Sequence, residues 1–165
     1  MPRAALKTKS AKARPPSKAK SAKTKGAARP TATRKARPKQ KFTVSHHREG
    51  DFVEGLRIYA KYRDLGIAMA TGGMVQAHVI RFVPPFEPKA ASTPHYHDVD
   101  FQMIYVLKGW YKTEFEGEGV HTFEAGSCWI QPPCIKHAVR GYSDDCELLE
   151  IVLPAGFGTV ELDTL

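Results

Sequence analysis

The chain has 165 residues and a formal net charge of +8, yet it joins two different compositions: residues 1–41 hold 15 Lys or Arg, no Asp or Glu and, besides Met1, one large aliphatic residue, Leu6. The remaining 124 residues carry ten basic side chains against all 17 acidic ones, a net of −7, and are enough for one domain with one core. No run approaches the ~20 apolar residues of a membrane span, and no apolar stretch follows the basic start as it would in a secretory signal.

Taken in chain order, residues 1–41 cannot bury a core and are expected to be a disordered Lys/Ala/Pro-rich tail, with the folded domain at 42–165. Such a tail adheres to phosphate without reading bases, so non-specific nucleic acid is its expected partner; a solvated extension without a partner is the plain alternative. A mitochondrial-type presequence would also be poor in acid, but this tail lacks an apolar face. His46 and His47 sit at the tail boundary and are expected in solvent.

Residues 56–63 alternate apolar and polar, with Tyr59 out of step, and predict a strand covered on one face. Residues 67–71 are apolar and short and precede Gly72-Gly73, which predicts a brief turn; 75–83 is β-branched and stops at Pro84-Pro85. Residues 102–107 are apolar on nearly both sides and predict a strand between two layers. Further strands are expected at 110–116, 120–124, 128–131 and 146–153, the last ended by Pro154. Seven or eight short strands without a helix-length periodic segment predict an all-β sandwich or barrel.

Cys128, Cys134 and Cys146 form an odd set without CxxC spacing, which predicts reduced thiols and a cytoplasmic protein; Cys134, three positions before His137, is the one placed to approach a pocket. His95 and His97 stand two apart, so on a strand both imidazoles point to one side and can meet one small ion. Strict alternation puts Gln102 on the opposite face from His97, so residues 98–101 must turn or bulge if the glutamine joins them. His78 alternates with Ile80 and Phe82 and can face the barrel, whereas His121 follows a glycine turn and is expected on the surface. Arg57, Arg81 and Arg140 are possible anion partners, while Trp129 and Tyr105 are expected to pack the core. No proton-transfer pair is readable.

His95, His97, Gln102 and Gly109 fall on the spacing HxH(x)4E(x)6G, and Gly126, Pro132 and His137 on G(x)5P(x)4H. In this the chain resembles the cupins, over roughly residues 53–158 and none of the first 41. Glutamine stands where that family usually has a metal-binding glutamate, Cys134 replaces the glycine of PxG, Gly141 the terminal asparagine, and Lys89 the first glycine.

The resemblance implies a single double-stranded β-helix, a jelly-roll barrel with its pocket inside, holding a divalent transition metal (Fe, Mn, Ni or Zn) on His95, His97, Gln102 and His137. With Gln102 in place of a glutamate, the site keeps about one more positive charge, holds its ion more weakly and welcomes an anion. It also implies a homodimer through an edge or swapped N-terminal strand, for which residues 52–64 are the candidate. Two functions stay open at this point: an Fe(II)-type dioxygenase or related metalloenzyme, such as an isomerase, acting on a small anionic molecule, and a non-catalytic domain that senses or binds a small molecule.

Overall fold

Apolar and polar residues alternate along the chain between glycine and proline breaks, and in the computed structural model this pattern becomes eleven strands among the described residues, 39–55 and 57–165. The tail expectation falls largely on residues 1–38, which lie outside the described residues, as does Leu56. In order the strands are β1 (Val53–Glu54), β2 (Ala60–Asp64), β3 (Gln76–Phe82), β4 (His95–Asp98), β5 (Phe101–Lys108), β6 (Trp110–Phe115), β7 (Gly119–Glu124), β8 (Cys128–Ile130), β9 (His137–Tyr142), β10 (Glu147–Leu153) and β11 (Gly158–Glu161). Two short helices, α1 (Ile67–Thr71) and α2 (Pro88–Ala91), interrupt them.

The strands form two antiparallel sheets, a six-stranded one in the order β1-β2-β3-β10-β5-β8 and a five-stranded one in the order β11-β4-β9-β6-β7. This is the all-β jelly-roll barrel expected. No helix of the described residues is long and apolar enough to cross a membrane.

Between the sheets lies a cluster of Phe82, Ile104, Val106, Tyr111, Val139, Tyr142 and Leu148, with the Phe82 ring 4.5 Å from that of Tyr142 and 5.3 Å from that of Tyr111. Gly109 turns β5 into β6 at φ 68°, and a Cβ there would lie 2.0 Å from Ser143 Oγ, so both the backbone angle and the close approach require glycine.

Several expectations need correction. The strand read at 56–63 begins only at Ala60, because Ile58 and Tyr59 form a turn that lets Val83 N–H donate to the Tyr59 carbonyl. Residues 67–71 form a full α-helical turn rather than a plain one, closed by Gly72 in the left-handed region. β5 is not sandwiched: Gln102, Ile104 and Val106 face inward, but Tyr105 and Leu107 are 38% and 44% exposed on the outer face. Tyr105 therefore does not pack the core. β11, beyond Pro154, carries no alternation that marks it in sequence and exists by pairing with β4. β1, within the segment considered for dimer contact, is an edge strand with Val53 exposed.

Candidate metal centre

His95 and His97 lie on β4, whose pairing places His95 directly opposite His137 of β9 and His97 opposite Thr159 of β11. Their rings gather tightly, with centroids 4.3 Å apart for His95 and His137, 5.1 Å for His95 and His97 and 5.3 Å for His97 and His137. One candidate donor nitrogen from each lies within 4.8 Å of the other two.

Hydrogen bonds fix which nitrogen is free. His95 Nδ1 is 2.9 Å from the Thr93 carbonyl and His137 Nδ1 is 3.0 Å from the Ile135 carbonyl. A carbonyl only accepts, so both Nδ1 atoms hold the proton and both Nε2 atoms keep a lone pair. His97 Nδ1 meets Thr159 Oγ1 at 2.9 Å, and the Phe157 ring stands edge-on to its imidazole. Burial disfavours the charged form and pulls all three pKa values below the usual imidazole range, to about 4 for His97 and about 3 for His137. Three neutral imidazoles, with Nε2 lone pairs on His95 and His137, are the donor set a divalent transition metal takes, so the residues present fit such an ion.

Gln102 reaches this interior by the expected device. The chain leaves the five-stranded sheet after Asp98, crosses at Val99-Asp100 and enters the other sheet as β5, so Gln102 lies buried in the same cavity as the histidines. Its Nε2 donates to Glu150 Oε1 at 2.6 Å and its Oε1 accepts from Gln131 Nε2 at 3.0 Å. Gln131 Nε2 also lies 3.1 Å from His137 Nε2 and so ties Gln102 to the triad.

Glu150 and Gln131 carry no motif signal in the sequence, and Glu150 forms an acid–base contact that the sequence did not reveal. His78 does face the barrel, and its Nε2 meets Glu150 Oε2 at 2.6 Å across directly paired positions of β3 and β10. Burial pushes the Glu150 carboxyl upward, but its bonds with His78 and Gln102 and the His78 charge outweigh it and leave the pKa below the usual value. A buried acid among apolar neighbours in 146–153 was the available signal, but naming its partners requires contacts 48 and 72 residues away.

The cavity has a volume of about 360 Å³, and Tyr59, Tyr62, Ile80 and Trp129 add apolar wall to it. Trp129 thus lines the cavity as well as stacking 3.9 Å from Phe123. Of the three arginines considered, Arg57 lines the cavity and pairs with Glu161, whereas Arg81 binds Glu49 and Glu147 and Arg140 binds Glu114 away from it. His46, His47 and His121 are exposed, as expected.

Cys134 is exposed and does not line the cavity. Its φ of 59° explains why glycine is usual at this motif position, and its N–H donates to the His97 carbonyl at 3.0 Å, which holds the turn against β4.

No curated protein matches the chain. Among solved structures it is similar to the polyketide cyclase RemF from Streptomyces resistomycificus, with a TM-score of 0.56 and 18% identity over 74% of this chain and 87% of that one. KdgF from a Halomonas species gives a TM-score of 0.51 and 21% identity over 63% and 87%. Salicylate 1,2-dioxygenase from Pseudoaminobacter salicylatoxidans, solved as an adduct with gentisate, gives 0.53 and 9% over 68% and 31%, so this chain spans about a third of that protein. At such identities the likeness is one of fold. Residues 85–152 match the family model of the cupin domain, and the jelly-roll barrel around them has that domain's fold.

Proposed function

We propose that the chain binds one divalent transition metal ion through His95, His97 and His137, with Gln102 Oε1 as an oxygen donor, and acts as a metal-dependent enzyme on a small anionic molecule in the cavity. The observation that carries this reading is the convergence of three neutral imidazoles within 4.8 Å, His95 and His137 buried and His97 half-buried. Oxygen of Gln102 keeps a lone pair beyond its bond from Gln131, so it can join them. When bound, such an ion supplies a Lewis acid and, as Fe(II), the redox centre of a dioxygenase.

The chain's own residues do the rest. The Thr93 and Ile135 carbonyls hold protons on Nδ1 of His95 and His137, which orients both rings. Ile80, Ile104, Val139 and Trp129 restrict water around a small substrate. His78 and Glu150 hold a proton between Nε2 and Oε2 at the cavity wall, where it can be exchanged with a bound molecule. All four proposed donors are uncharged, so a divalent ion outweighs the single negative charge of Glu150 and leaves the cavity positive; an anion is the complementary occupant.

The gentisate adduct of the dioxygenase similar in fold is in keeping with a small carboxylate, as support and not as assignment. Oxygen uptake by the iron-loaded full-length chain, offered small carboxylates, enolates and thiols, tests the reading. Turnover is expected for one class. Binding without uptake or product would instead favour a non-catalytic domain, in which the tail's 15 basic residues fit a nucleic-acid arm.

A further inference from the structure

A divalent ion on three imidazoles and an amide meets no negative charge among its own donors, and an unmatched buried charge is costly. Glu150 and Asp64 are the carboxylates that line the cavity. Asp64 is exposed and is used by the Gly66 N–H and the Gln76 amide. Glu150 is buried, and its Oε1 takes the Gln102 amide N–H at 2.6 Å. Because a carboxylate accepts, this bond fixes the amide so that Nε2 faces Glu150 and Oε1 faces Gln131 and, through it, His137. His78 holds the other carboxylate oxygen, so the acid is pinned at both ends.

We infer that Glu150 supplies the negative charge that the metal donors lack, acting through Gln102 as a positioning residue: the amide presents its oxygen to the ion and the carboxylate stands one hydrogen bond behind it. The inference rests on the metal-centre reading above. It changes what Gln102→Glu should do. Taken alone, that substitution suggests tighter metal binding, but here it sets two carboxylates at the 2.6 Å contact, where like charges oppose each other. Moving the charge, rather than adding one, is the favourable exchange.

The test is Zn(II) competition against a chelator at pH 8 with the full-length chain, its Glu150→Gln and Gln102→Glu variants, and the Gln102→Glu/Glu150→Gln double variant. Glu150→Gln keeps the shape and can still hydrogen-bond Gln102 and His78, so it removes charge with little else. Affinity is expected to fall about tenfold in Glu150→Gln and to return to within about threefold of the parent in the double variant, with Gln102→Glu alone gaining less than the exchange implies.

Unchanged affinity in Glu150→Gln, or a double variant equal to the product of the two single effects, would overturn the inference. His137→Ala separates the two readings. If that variant binds Zn(II) as the parent does, the metal-centre assignment itself fails and the role of Glu150 fails with it. If His137→Ala loses the metal while Glu150→Gln does not, the centre stands and Glu150 is not its counter-charge. Thermal unfolding of each variant confirms that the fold is retained, and the double variant reads the coupling should Glu150→Gln alone prove unstable.

Discussion

The inward face of the barrel changes character within single strands. β5 turns Val106 and Ile104 inward and then Gln102; β10 gives Leu148 and then Glu150; β9 gives Val139 and then His137; β3 gives Phe82 and Ile80 and then His78. The alternation that makes a strand is the same throughout, so both regions fold for one reason. They differ in expense. Each apolar side chain gains about 1.5–3 kcal/mol by burial, whereas each buried polar one needs a partner merely to break even. A chain that retains four imidazoles, two amides and a carboxylate on an interior face forgoes stability there, and the hydrogen bonds among them show that the polar region is organised.

Substitutions can separate the two regions. The largest effect is expected in the polar one: His95→Ala or His97→Ala should reduce retention of Zn(II) by more than about a hundredfold, measured by elemental analysis after dialysis against a chelator, because either leaves two imidazoles. The fold should survive, and retention of a full metal complement would dissolve the distinction between the regions.

Acid should find the polar region next. In the metal-free protein His97 and His137 titrate near 4 and 3, against ~6.5 in the unfolded chain, and His95 is lowered as well. Between these values the unfolded chain binds more protons than the folded one. Stability is therefore full above about pH 6.5 and falls by several kcal/mol as pH drops toward 3, the sign opposite to that of a histidine whose pKa is raised on folding. Urea unfolding over this range checks it, and His137→Ala should flatten the profile. A profile steepest above pH 7 would be the wrong sign.

In the apolar region, Val106→Ala should cost about 2 kcal/mol of stability, since the side chain is fully buried and away from the cavity. Zn(II) affinity should not move. A loss of metal from this variant would mean that the regions are coupled through packing.

The smallest effect concerns the tail. Full-length chain should bind duplex DNA weakly, without sequence preference and with affinity falling steeply with salt, log K dropping by about 0.9 per neutralised phosphate for each log unit. A chain beginning at Phe42 should not bind, since the remainder has a net charge of −7. Equal binding by both would remove the tail as a nucleic-acid arm.

What could be read in advance follows the same division. His95 and His97 were legible because period-two spacing is local, and His137 because a motif fixed its distance from Gly126 and Pro132. The need for a break between His97 and Gln102 was also legible, and the crossing at Val99-Asp100 meets it. Glu150, Gln131 and the His78 partnership were not, because a hydrogen bond between strands far apart in sequence leaves no periodic trace. The outward face misled for a related reason. Met103, Tyr105 and Leu107 read as buried by composition, yet whether a second layer covers an apolar strand face is decided by topology, and here Tyr105 and Leu107 stay exposed.

X-ray absorption at the metal edge of the Zn(II)-loaded full-length chain reads the donor set of the proposed centre. One ion per chain, with three imidazoles and oxygen donors at about 2.0–2.2 Å, is the expected result. Sulfur scattering at about 2.3 Å, fewer than three imidazoles, or no retained ion would contradict it.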